Sequence, residues 1–120
     1  MRIKMIILSS FLATTACANL ALAAQMSREQ AEGQALAFDS RKGNCLACHA
    51  IPNDPKAESP GNIGPPLVKM KERYPDRAKL RARIWDAGAF NPNTIMPPFG
   101  KNKVLTEQEI DRITDYLLAL

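Results

Sequence analysis

Two thiols three residues apart with an imidazole directly behind them, Cys45-Leu46-Ala47-Cys48-His49, constrain this chain more than any other stretch. The spacing lets both sulfurs form thioether bonds to the vinyl groups of one haem while the imidazole reaches the iron, and C-x-x-C-H is the attachment signal for c-type haem. Other uses of the same residues fit less well. A structural zinc site needs four protein ligands, and beyond its leader the chain holds only two Cys and one His. A thioredoxin-like dithiol belongs beside a βαβ pattern, and no run here alternates as a strand does. A plain disulfide leaves His49 without a role. The expectation is one covalent haem c on Cys45 and Cys48, with His49 as the proximal iron ligand.

The amino terminus agrees with that chemistry. Arg2 and Lys4 precede an almost wholly apolar or small stretch from Ile6 to Leu22, and Ala21-Leu22-Ala23 has the small-x-small form of a cleavage site. Residues 1–23 therefore read as an export signal and 24–120 as one domain. The apolar stretch is interrupted by Ser9, Ser10, Thr14, Thr15 and Asn19, so a stable membrane anchor is not expected. A lipid on Cys17 fits poorly, because Thr14-Thr15-Ala16 lacks a large aliphatic residue three places earlier. Export to the periplasm suits thioether attachment, which takes place outside the cytoplasm. Cleavage leaves 14 bases against 12 acids, a net charge of +2, too mild for nucleic-acid binding.

A domain of this size buries only about 60–68% of its unfolded surface, so a group filling its middle is in keeping with its length. Ser27 and Gln30 suit the start of a helix reaching about Lys42, with Gly43 as its stop. Thr106 and Glu109 form a T-x-x-E capping box, Leu105 and Ile110 a staple, and Ile110, Ile113, Leu117 and Leu120 an apolar stripe running to the chain end. Tyr74-Pro75-Asp76 opens a third helix, with Leu80, Ile84 and Ala87 on one side and Gly88 closing it. Most of the nine prolines lie between Pro52 and Pro98, so long loops separate these helices. The fold class is all-α.

With one His in the chain, bis-His ligation is impossible, and the second axial ligand must come from elsewhere. Met26 stands almost at the start of the domain, and Met70 lies between two bases in Lys69-Met70-Lys71. Met96 sits in Asn91-Pro92-Asn93-Thr94-Ile95-Met96-Pro97-Pro98-Phe99-Gly100, where prolines limit the backbone entropy lost in holding a soft sulfur on iron. Metal ligation is therefore assigned to His49 and Met96.

The order of helix, C-x-x-C-H, Gly61-Asn62-Ile63-Gly64-Pro65-Pro66-Leu67, middle helix, methionine loop and final helix resembles the class I cytochromes c. That resemblance implies three main helices with long loops around one haem, and it implies that the Pro65 carbonyl accepts a hydrogen bond from the imidazole of His49. The wording of the two loops, with the extended 52–64 insertion, is similar to the SoxX family of small cytochrome subunits of thiosulfate-oxidising systems. The family pairs with a SoxA-type dihaem or monohaem cytochrome, and the complex couples thiosulfate to a cysteine of the carrier SoxYZ, passing electrons to an acceptor cytochrome c. The resemblance implies an electron-transfer subunit of a SoxAX-type L-cysteine S-thiosulfotransferase. No catalytic residue is expected in this chain, since the thiolate-ligated catalytic haem of the family belongs to SoxA and no thiol remains here after attachment.

The alternative is a free-standing soluble electron carrier. Two features bear on the choice. Ala78, Ala82 and Trp85 form a second apolar stripe on the middle helix, available either to a partner or to a loop of the same chain. The 69–83 window carries seven bases and two acids, a charge of +5, against −3 for the rest of the domain, and such polarity either steers docking or is a solvated face.

Overall fold

The computed structural model describes residues 27–120, so the leader expected over 1–23, Cys17 and Met26 lie outside the described residues. Helix α1 runs over 27–38, followed by a 3-10 turn Cys45–Ala47, α2 at Met70–Arg73, α3 at Arg77–Trp85, a second 3-10 turn at Ala87–Ala89 and α4 at Glu107–Leu118. No strand occurs among the described residues, and none of their helices is long and apolar enough to cross a membrane.

Helix α4 forms where the T-x-x-E pattern placed it. Thr106 Oγ1 accepts from the Glu109 amide at 3.2 Å and the Glu109 carboxylate accepts from the Thr106 amide at 2.8 Å, which satisfies two orphan donors of the first turn. Its stripe of Ile110, Ile113, Tyr116 and Leu117 is buried, each large apolar side chain contributing about 1.5–3 kcal/mol. Gly33 is where α1 crosses α4. A Cβ there would fall on the Arg112 carbonyl and the Tyr116 Cβ, so only hydrogen fits between the two backbones. Phe38 meets Tyr116 edge to face at 6.1 Å, and Lys42 bonds the capping carboxylate of Glu109 at 2.7 Å.

Three boundaries differ from expectation. Ser27 is already helical rather than a cap, and α1 stops at residue 38 instead of about 42. Asp39 explains the early stop: its carboxylate accepts the Arg41 amide at 2.8 Å, offering the backbone a turn in place of the next helical bond. The chain then folds back so that the Gly43 amide donates to Leu36 at 3.0 Å. Gly88 does not close α3; Asp86 caps it and Gly88 lies inside the following 3-10 turn.

The 52–64 insertion is anchored by one buried carboxylate. Asp54 accepts from Tyr116 Oη at 2.6 Å on α4, from the Gln34 amide on α1, and from the Lys56 amide at 2.9 Å. Burial pushes its pKa up, but the Tyr116 and Gln34 bonds outweigh that and hold it below the ordinary carboxylate range. Burial and the neighbouring Asp54 charge push the Tyr116 hydroxyl the other way, far above its usual value. Because the folded pKa of Asp54 is depressed, its contribution is full above the unfolded value near 3.8 and is lost as pH falls through the lower folded value. Asp54→Ala should lower the unfolding free energy by about 2–3 kcal/mol at pH 7, with two strong donors left unpaired. Urea titrations of wild type and variant should converge below pH 4; a constant difference down to pH 2 would contradict this account.

Two arginines of the charged window, both on α3, are engaged within the chain. Arg77 bonds Asp115 at 2.6 Å and Asp111 at 3.2 Å, and Arg81 bonds Asp111 at 2.8 Å and Glu107 at 3.1 Å, clamping α3 to α4. Trp85 is likewise an intrachain contact: its ring lies so close over Gly100 that a Cβ there would overlap it, and its carbonyl accepts from the Gly100 amide at 3.1 Å. Trp85, but not the exposed Ala78 of the same stripe, therefore packs against the methionine loop of its own chain.

Candidate functional site

The tight 3-10 turn at Cys45–Ala47 begins from Asn44 in the left-handed region, φ 48°, and ends with the His49 amide donating to Cys45 at 2.9 Å. A repeat of three puts Cys45, Cys48 and His49 on the cavity side, while Leu46 packs into the protein and Ala47 faces out. The two thiols are not joined. Burial, with a smaller push from Cys48, raises the Cys45 thiol to about 11.

The Gly61–Leu67 loop is laced against this turn by three backbone bonds, from Gly61 to Leu46 at 2.7 Å, from Gly64 to Cys48 at 2.8 Å and from Leu67 to Ala50 at 2.8 Å. That ladder brings the Pro65 carbonyl to 2.7 Å from His49 Nδ1. A carbonyl only accepts, so Nδ1 carries the proton and Nε2 keeps its lone pair free for a metal. Gly64 lies beside the imidazole ring, with no room for a Cβ between them.

The loop before α4 is fixed from both ends. Thr94 Oγ1 accepts the Met96 amide at 3.1 Å, and the Gly100 and Lys101 amides both donate to the Trp85 carbonyl. Met96 lies half-buried in between and lines the same cavity as Cys45, Cys48, His49 and Pro65.

That cavity has a volume of about 430 Å³, within the range of cofactor sites, and its walls are mainly apolar: Leu67, Leu80, Ile84, Phe99, Ile113 and Leu117 among them. Two sulfurs for attachment, an imidazole with a free nitrogen and a thioether sulfur around one apolar chamber suit a haem. Sequence reasoning set Met70 aside as a residue between two bases. The structure places it in the wall, 2% exposed, because the short helix α2, which is too brief to show periodicity, turns Met70 inward and lets Lys69 and Lys71 point out. Arg73 Nη1 sits 3.4 Å from the Met70 sulfur.

Residues 28–117 match the model of the family described as cytochrome c oxidase, cbb3-type, subunit III. An uncharacterized lipoprotein of Aquifex aeolicus (strain VF5) is 38% identical over 78 residues, which cover 65% of this chain and 37% of that protein, so the match spans little more than a third of the relative. Among solved structures, a crystal structure of SoxXA from P. pantotrophus superposes with a TM-score of 0.66 at 29% identity, covering 72% of this chain and 77% of that one.

Proposed function

This chain belongs to the family described as cytochrome c oxidase, cbb3-type, subunit III, and has the fold of a SoxX-like class I cytochrome c; from that premise we propose that it is the electron-transfer subunit of a SoxAX-type L-cysteine S-thiosulfotransferase. It is an electron-transfer cytochrome carrying haem c. The likeness to SoxXA over most of both chains carries the reading, and the cavity uniting Cys45, Cys48, His49 and Met96 supports it.

In this reading Cys45 and Cys48 would hold a single haem covalently, His49 and Met96 would ligate its iron, and Pro65 would orient the imidazole. When bound, haem c supplies one-electron redox chemistry. The protein's part is to fix two ligands of unlike hardness, to exclude water with the apolar wall, and to keep the proton of His49 on Nδ1 so that Nε2 binds metal. With His49 and Met96 committed to the iron and both thiols to attachment, the domain would have no thiol or open metal position of its own to take up thiosulfate. Bond making belongs to a SoxA-type partner and the SoxYZ carrier, with an acceptor cytochrome c downstream.

Residues 1–23 act as a cleaved export signal and 24–120 as the cytochrome domain, delivered to the periplasm. Intact-mass analysis of the exported product should give a chain beginning at Ala24 plus one haem. A lipidated Cys17, as the name of the Aquifex relative raises, or a retained Met1 would overturn the cleavage site.

The isolated holoprotein should show no thiosulfate turnover. Adding a SoxA-type partner and the carrier should produce thiosulfate-dependent reduction of an acceptor cytochrome. Without measurable affinity for that partner, the free-standing carrier becomes the better reading.

A further inference from the structure

The loop that carries Met96 is tied to the rest of the chain mainly at its base. Among the described residues, every hydrogen bond of residues 92–99 stays within 91–105: Asn93 and Thr94 bond Asn91, Met96 bonds Thr94, and the Pro98 and Phe99 carbonyls accept from the turn that follows. Of the side chains in 92–99 only Phe99 is buried. The turns inside the loop therefore give it shape, and its base gives it place.

At that base residues 85–86 meet residues 100–101. The Gly100 and Lys101 amides donate to the Trp85 carbonyl at 3.1 and 3.3 Å, and Lys101 Nζ bonds Asp86 Oδ2 at 3.0 Å. The Asp86 carboxylate also takes the amides of Gly88 and Ala89. The Lys101 bond above all, with those amides, holds this carboxyl below the ordinary carboxylate range against the upward push of burial. An ion pair between two mobile, exposed side chains contributes little, because both must be ordered. Here the Asp86 side chain is only 18% exposed and already fixed by backbone amides, so the bond has to order the lysine stem alone. Neither residue lines the haem cavity.

We propose that Asp86 and Lys101 are positioning residues for Met96: their ion pair latches the base of the methionine loop and sets how often the Met96 sulfur leaves the iron. The proposal rests on the reading of Met96 as ligand given above. Swinging the loop away parts Lys101 from Asp86 and two amides from the Trp85 carbonyl. Without the ion pair there is less to break, so the open form is populated more often while the closed arrangement, with its ligand set and spectrum, stays as it is.

The test is stopped-flow mixing of the ferric holoprotein with imidazole, which enters only when Met96 leaves, followed as loss of the near-infrared thioether band. At saturating imidazole the rate reaches a plateau set by opening. Lys101→Met and Asp86→Asn should keep the band at rest and raise the plateau about fivefold, and Lys101→Arg should return it to near the wild-type value. Hydrogen exchange at the Gly100 and Lys101 amides, which opening frees from Trp85, should quicken by a similar factor. In wild type, salt of about 1 M should screen the pair and bring the rate toward that of Lys101→Met, whose own rate should change little. Lys103→Met removes the same charge two residues along, from an exposed side chain paired with no carboxylate among the described residues, and should track wild type. Lys101→Met and Asp86→Asn that match wild type in both readouts, or a Lys103→Met that rises with them, overturn the proposal while Met96 remains the ligand. A ferric wild type without the band overturns the ligand reading and the proposal with it.

Discussion

Met96→Ala should abolish the near-infrared absorption band of ferric iron bound to thioether sulfur and open the reduced protein to carbon monoxide, while Met70→Ala should do neither. The structure sharpens the contrast, because both methionines line the cavity and sequence position alone no longer separates them. Their surroundings do. Met70 is 2% exposed within the hydrophobic core, and its sulfur faces a guanidinium donor of Arg73, which competes for the lone pair a metal would need. Met96 belongs to a loop whose backbone is set by Pro97, Pro98 and the bond from its own amide to Thr94, so the sulfur is presented with little freedom left to lose. The two variants should differ in stability in the opposite sense. Met70→Ala leaves a void in a packed core and should cost about 2–5 kcal/mol of unfolding free energy with the band intact. A Met70 variant without the band, or a Met96 variant that keeps it, would exchange the assignments.

How much of this was legible in the letters follows from how local each feature is. The capping box of α4 needs only Thr106 and Glu109 three residues apart, and the C-x-x-C-H turn only five consecutive residues, so both could be read directly. Helix α2 could not, since four residues carry no period, and with it went the burial of Met70. The early end of α1 depends on Asp39 preferring a side-chain turn to a further helical bond, a competition that composition at Gly43 does not reveal. The positive window over 69–83 and the Trp85 stripe were visible as patterns but ambiguous as roles. Their partners Asp111, Asp115, Glu107 and Gly100 lie some 15 to 40 residues away along the chain. The anchoring of the 52–64 insertion has the same character: Asp54 and Tyr116 are 62 residues apart, and neither announces the other. Thr94 is the exception among residues passed over. A hydroxyl two places before the methionine proposed as ligand is a recognisable turn former, and its bond to the Met96 amide was open to inference.

Gly64→Ala should remove His49 from its working position although the added group is one methyl. The imidazole is held from two directions. Its Nδ1 is bonded to the Pro65 carbonyl at 2.7 Å, and its flank rests on Gly64, where an added Cβ would lie within 3 Å of three ring atoms. The glycine cannot retreat, because its own amide donates to the Cys48 carbonyl at 2.8 Å and the next residues are Pro65 and Pro66. The ring therefore has to turn, and turning breaks the bond that keeps the proton on Nδ1 and the free lone pair on Nε2. Overpacking of this kind costs about 1–3 kcal/mol, and the lost hydrogen bond roughly 1 kcal/mol more, which together exceed a tenfold loss of correctly ligated protein. Expression with haem-attachment machinery should yield little holoprotein, and what forms should show an altered axial field by electron paramagnetic resonance. Gly88→Ala is the matching control, since the new methyl would meet only the side-chain carboxylate of Asp86, at 3.1 Å, and no ring or backbone atom. Normal haem content and an unchanged axial spectrum in Gly64→Ala would mean that the imidazole is not held by this loop, and the account of how the chain presents its single histidine would fail.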